Sequence, residues 1–69
     1  RHDEIYKGLR FIVDPIAAGD GQFGYQAVVD GKRPIIETRC GSQSAALARG
    51  IDAAKAKIDS ILLAYRSPD

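Results

Sequence analysis

The stretch between Ser42 and Tyr65 does most to decide what this chain can fold into. Leu47, Ile51, Ala54, Ile58, Ile61 and Tyr65 recur at steps of four, three, four, three and four, which puts all six on one stripe of an α-helix. Gly41 breaks the preceding segment, and Ser42 is a good N-cap, with Ser44 as the alternative. Ala45 stands where a reciprocal capping box would have Glu or Gln. Alanines at 45, 46, 48, 53, 54 and 56 favour the helix. Gly50 costs roughly 1 kcal/mol relative to alanine, and beside Ile51 it suits a close approach of the helix to a sheet or another helix. Ser67-Pro68 ends the pattern, because the residue before proline avoids the α region.

The rest of the chain alternates at period two and predicts a sheet for that stripe to cover. Residues 1–7 are charged and read as a loose lead-in, with Ile5 and Tyr6 as candidates for touching the core. A first strand is expected over 8–14, where Leu9, Phe11 and Val13 share a face and Pro15 closes the run. A second is expected over 23–29, with Phe23, Tyr25, Ala27 and Val29 pointing one way. Asp30-Gly31 is a strong two-residue hairpin signal, and a third strand follows over 33–40. That turn implies the register Val29 opposite Lys32, Ala27 opposite Pro34, Tyr25 opposite Ile36 and Phe23 opposite Thr38. Ile36, Thr38 and Cys40 would then share the aromatic face. Pro34 places the third strand at an edge. The expected fold is therefore α+β: one domain over 1–69, a three-stranded antiparallel meander over 8–40, and one long helix over 42–65 on one face (β-β-β-α).

Length now becomes informative. A helix of about 23 residues spans about 34 Å, whereas strands of seven or eight residues span about 25 Å. The last two turns, with Ile61, Leu62, Leu63 and Tyr65, should overhang the sheet. A 69-residue chain buries only about 60% of the surface its unfolded form exposes, so it is marginal without a staple. One cysteine forms no internal disulfide, and one cysteine with one histidine makes no structural zinc site. Association is the staple left.

Composition narrows the functional classes. A net charge of +1 gives no global argument for nucleic acid. No apolar run approaches the ~20 residues that span a bilayer. The sequence starts at Arg1, so a leader beyond it is not excluded; the expected setting is the bacterial cytoplasm. Gly19-Asp20-Gly21 is followed by no helix, as a phosphate loop requires. Asp14 and Asp20 are too few for calcium. Cys40 and His2 are the only obvious nucleophile and base, one expected in the core and the other in the lead-in. Asp52 and Asp59 flank Lys55 and read as a solvated face with helical ion pairs. The expectation is a protein with no catalytic, cofactor-binding or metal-binding residues.

The face of the sheet away from the helix is the more informative feature. By the expected register it carries Arg10, Ile12, Gln26, Val28, Arg33, Ile35, Glu37 and Arg39. Apolar residues inside a charged rim suit a protein interface. Ile12, Val28 and Ile35, with Leu62, Leu63 and Tyr65 at the helix end, are the expected partner contacts. A homodimer is expected, with a protein partner besides. The alternative is nucleic-acid binding through Arg10, Arg33 and Arg39. It lacks stacking platforms, because the strand aromatics fall on the opposite face.

Phe23-Gly24-Tyr25-Gln26-Ala27-Val28, a short third strand and an alanine-rich, serine-capped helix over 42–57 together resemble the N-terminal half-domain of HicB-type antitoxins over residues 6–59. The chain has Arg39-Cys40-Gly41-Ser42 where that family has a Pro-and-Gly loop and a Gly-Asp/Ser-Thr helix start, and its first helical turn has no acidic residue. The layout is also similar to that of many small bacterial β-β-β-α domains. The resemblance implies a protein-binding, dimerising module and transfers no catalytic residue.

Overall fold

The computed structural model describes residues 1–65. It is an α+β fold with five elements: β1 (His2–Tyr6), β2 (Leu9–Gly19), β3 (Gln22–Val29), β4 (Ile35–Cys40) and α1 (Gln43–Tyr65). The four strands form one antiparallel sheet in the order β1-β2-β3-β4. The sheet therefore has one strand more than expected, because residues 1–7 are not a loose lead-in. His2–Tyr6 pairs along β2 from His2↔Val13 to Tyr6↔Leu9. The two strands are joined through Lys7 (φ 51°) and Gly8 (φ 87°). Asp20-Gly21 and Asp30-Gly31 also have positive φ at both residues, the geometry that matches the right-handed twist of a hairpin. A lysine in the first position is a weak sequence signal for such a turn, and β1 goes unrecognised for that reason. Pro15 does not end β2, which runs on to Gly19.

The β3–β4 register departs from the expected one, for a local reason. The turn closes as anticipated, with Lys32 N donating to Val29 O at 3.0 Å. Arg33 and Pro34 then occupy the span that Val28 occupies alone on β3, so Ala27 pairs with Ile35 and Tyr25 with Glu37. Pro34 has no N–H for the ladder position opposite Ala27. A second irregularity sets Thr38 and Arg39 against Gly24 and brings Cys40 opposite Phe23. The glycine makes this step possible: a Cβ on Gly24 would collide with the carbonyl oxygen of Glu37 and with Thr38 Cα. Ile35 consequently lies on the helix side, half-buried against the core, and Ile36 lies on the far side at 59% exposure. Cys40 is buried, as expected.

The core lies between the helix and the inner strands: Phe11, Val13, Tyr25, Ala27, Val29, Cys40, Ala46, Ala54 and Ile58. The helix line that meets the sheet is Ala46, Gly50, Ala54 and Ile58, one residue every four. Small residues in the middle let the axis settle close to β2 and β3. A Cβ on Gly50 would run into Val13 Cγ1 and come within 3.0 Å of the Tyr25 ring. Leu47, Ile51 and Ile61, the larger members of the expected stripe, pack along the shoulders of that line. Tyr65 does not reach the sheet and is 84% exposed. At the helix start, Ala45 N donates to Ser42 Oγ at 3.1 Å and Ala46 N to Ser42 O at 2.9 Å, confirming the cap. The expected stop at Ser67-Pro68 lies outside the described residues.

Candidate interaction surface

A single helix covers a single face, and strand pairing identifies what the other face carries. Side chains out of phase with Phe11, Val13, Tyr25 and Ala27 point away from the helix. On β2 and β3 these include Arg10, Ile12, Asp14, Ile16, Gln26 and Val28. Ile12 and Val28 are direct cross-strand partners at the centre. Ile36 follows beside Gln26, and Ile5 stands beside Arg10 on β1. Ile5 is 70% exposed. Around the Ile12–Val28 pair, Arg10, Asp30 and Gly31 complete a shallow cleft of about 270 Å³.

Two arginines on this face are paired with aspartates of the same face. Arg10 Nε donates to Asp3 Oδ1 at 2.9 Å, and its Nη2 reaches Asp3 Oδ2. Arg1 Nε donates to Asp14 Oδ1 at 3.0 Å. The Arg10 hydrogen bond holds the Asp3 carboxyl below its ordinary range, and Asp3 in turn raises the Arg10 guanidinium. The β1–β2 half of the face is a balanced set of two arginines and two aspartates. On the β3–β4 half Gln26, Val28 and Ile36 are uncharged, and Asp30 stands beside Val28 at the rim of the cleft.

The residues singled out from sequence divide between places. Ile12 and Val28 are together on the open face, but Ile35 is on the helix side, and its position there is taken by Ile36. Glu37 also turns to the helix side, opposite Tyr25. Burial, then the nearby Glu37 carboxylate, push the Tyr25 phenol up. Leu62, Leu63 and Tyr65 stand at the far end of α1, in the other layer. With Lys7 and Asp59 they line a separate cleft of about 490 Å³. There Lys7 Nζ donates to Asp59 Oδ1 at 2.9 Å, a bond that draws the Asp59 carboxyl down. The expected intrahelical pairing of the helix aspartates is replaced here by a tie to the β1–β2 turn. The three arginines of the nucleic-acid reading are also dispersed: Arg10 is held by Asp3, Arg33 is in the bend before β4, and Arg39 is in the irregularity opposite Gly24.

Sequence reading missed Ile5 and Ile36 as open-face residues. The signal for Ile5 was its place in His2–Tyr6, where the alternation is masked by charge. The signal for Ile36 was Pro34, whose missing donor displaces the register.

Among the described residues, the candidate nucleophile Cys40 and the candidate base His2 are not brought together. His2 is in β1, its Nε2 2.7 Å from Glu4 Oε1 and its ring 5.7 Å from that of Phe11. Cys40 is three strand positions away across the sheet, at least ~14 Å by the usual strand spacing. Among the described residues there is no group of His, Cys, Asp or Glu that could hold a metal ion, and no helix long and apolar enough to cross a membrane. No protein-family model matches the chain, and no curated protein or solved structure matches it either.

Proposed function

We propose that this chain is a non-enzymatic interaction module that self-associates and docks a protein partner through its open sheet face. One observation carries the reading: Ile5, Ile12, Val28 and Ile36 stand on the face that the helix leaves uncovered, next to two arginines already paired inside that face. Uncovered β-branched side chains favour contact with another apolar surface. Guanidinium groups held by aspartates are poorly placed to recruit phosphate, which sets the nucleic-acid alternative behind.

The sheet edges support the same conclusion. β1 carries His2, Asp3 and Glu4 along a five-residue edge, with Arg1 just before it. β4 is six residues long, with Pro34 just before it and the Thr38-Arg39 irregularity inside it. Charge, proline and bulges are the devices that discourage edge-to-edge pairing, so the faces are left as the route to association. The resemblance to HicB-type half-domains points towards a dimerising protein-binding module as well. A cytoplasmic setting suits the free, buried Cys40.

Sedimentation equilibrium tests the proposal. The expected result is a concentration-dependent monomer–dimer equilibrium that Val28→Asp shifts to monomer and that added salt leaves nearly unchanged. A monomer at every concentration, or nucleic-acid binding that weakens steeply with salt, would sink it.

A further inference from the structure

We infer that β1 is a strap: it opens as a unit about Lys7-Gly8, with Asp59 as its latch, and bares the outer edge of β2 while the rest of the fold stays closed. The inference concerns one sheet edge and stands independently of the open-face reading.

The composition of the core lets the strap open alone. Among the described residues, the nine buried core side chains belong to β2, β3, β4 and α1, and none to β1. Only Tyr6 of β1 packs against that core, and it is partly buried. His2 is half-buried, its ring 5.7 Å from that of Phe11. The ion pairs that join β1 to its neighbours, Asp3 with Arg10 and Glu4 with Lys55, lie in side chains open to solvent. Pairs of that kind contribute little. Lifting β1 therefore exposes little apolar surface, whereas lifting any other element opens the core. Segments with few buried apolar contacts open at a lower free energy than the whole domain.

The joint is strained and clipped at the same residue. Lys7-Gly8, Asp20-Gly21 and Asp30-Gly31 all have positive φ at both positions. Aspartate tolerates that region, because its short side chain bonds nearby backbone groups. Lys7, at φ 51°, has no such local bond and is the one residue with positive φ that is neither glycine nor aspartate among the described residues. Its ammonium group reaches across to the helix instead. Lys7 Nζ donates to Asp59 Oδ1 at 2.9 Å, and Tyr6 OH donates to Asp59 Oδ2 at 3.5 Å. One carboxylate thus receives both donors of the joint, from the last residue of β1 and the first of the turn. Once Asp59 releases them, the strain at Lys7 is relieved by swinging β1 away. β1 covers the outer edge of β2 over Leu9–Val13, and lifting it leaves a row of unpaired backbone donors and acceptors there. The strap therefore controls whether that edge is available.

Amide exchange followed residue by residue at pH 6, on chain dilute enough to be monomeric, tests the device. Association plays no part in this measurement, so the strap and the open-face reading fail separately. The expected result is that β1 amides exchange roughly tenfold or more faster than β3 amides. Asp59→Asn should speed β1 several-fold further and leave β3 almost unchanged. Gly8→Val should abolish β1 protection: a β-branched residue is excluded from φ 87°, and its side chain would otherwise enter open space. Arg10 O accepts from Asp30 N at 2.8 Å, so by strand alternation the amides of Arg10, Ile12 and Asp14 point to β3. Those amides should stay protected in Gly8→Val. The same alternation makes Ile5 and Arg10 a directly opposed, non-hydrogen-bonded pair. A disulfide in Ile5→Cys/Arg10→Cys should slow β1 exchange to the β3 rate, and reduction should restore it. A single exchange rate for β1 and β3 in the wild-type chain would overturn the strap, because opening would then be global. Loss of β3 protection in Gly8→Val, or full retention of β1 protection there, would overturn the joint. Unchanged β1 rates in Asp59→Asn, or in the oxidised disulfide variant, would overturn the inference as well.

Discussion

Gly24 and Gly50 are small for different reasons, and the difference predicts their sensitivities. At Gly50 an added methyl gains about 1 kcal/mol of helix propensity but meets Val13 and the Tyr25 ring, both fixed in a packed core. Overpacking of this kind costs about 1–3 kcal/mol. Gly50→Ala is therefore expected to destabilise by about 1 kcal/mol net, a fall in Tm of roughly 4–8 °C for a domain of this size. At Gly24 the obstacle is backbone, the Glu37 carbonyl and Thr38 Cα, which cannot rotate away. Gly24→Ala should cost more, about 3 kcal/mol, by forcing β4 off the sheet. Urea unfolding of the two variants checks the ranking, and a Gly24→Ala protein as stable as wild type would contradict the account of the β4 irregularity. Ser42→Ala removes the hydroxyl that receives Ala45 N, and thermal melting should show a loss of about 1 kcal/mol. Gly50 and Ser42 were both legible in the sequence, because helix propensity and capping are local. Gly24 was not, because its role depends on a neighbouring strand being out of phase.

Each element was readable to the extent that its own residues determine it. The helix, its cap and the Asp30-Gly31 turn follow from spacing and turn chemistry, whereas the expected overhang of the last two turns holds only for Leu63 and Tyr65, since Ile61 and Leu62 pack against the core. β1 and the phase of β4 depend on contacts with residues distant in sequence. β1 is the clearest case: of its helix-side residues only Tyr6 packs against the core, and the rest of its contact with α1 is a polar seam. Glu4 Oε2 lies 3.9 Å from Lys55 Nζ, Tyr6 OH donates to Asp59 Oδ2 at 3.5 Å, and the Lys7 and Lys55 ammonium groups sit 5.2 and 5.4 Å from the centroid of the Tyr6 ring. No hydrophobic periodicity could announce such a strand. Its dependence on acid follows from the carboxylates. Asp59, lowered chiefly by its hydrogen bond from Lys7, and Asp3, lowered chiefly by that from Arg10, both have folded values below the ordinary 3.8. Groups shifted down contribute stability that is present above that ordinary value and is lost as pH falls through the folded one. Hydrogen exchange should therefore show β1 amides losing protection first as pH is lowered from 5 to below 3, ahead of β2 and β3. Asp59→Asn should reproduce part of that loss at pH 6. Uniform loss across all four strands would mean that the seam does not hold β1 independently.

For the whole molecule, the shape is long for its mass. Its radius of gyration is 13.0 Å, against about 11 Å expected for a compact chain of this length. Its principal extents are 48 × 20 × 17 Å. One helix over one face of a four-stranded sheet is a thin two-layer structure, and a chain of this size has little core to stabilise it. Stacking a second copy on the open face would convert two thin pairs of layers into four, with the apolar row inside. Stability should then depend on concentration, because whatever binds the folded state alone stabilises it by mass action. The Tm of the wild-type chain should rise with each tenfold increase in concentration, whereas that of Val28→Asp should stay constant. Arg1, Asp3, Arg10 and Asp14 are paired within each chain, so raising ionic strength screens contacts that exist in monomer and dimer alike and should leave the concentration dependence intact. Scanning calorimetry across two decades of concentration, at low and high salt, reads both effects together. A wild-type Tm independent of concentration would mean that the uncovered row is merely tolerated by a stable monomer. A dependence abolished by salt would place the association in the charges rather than in Ile12, Val28 and Ile36.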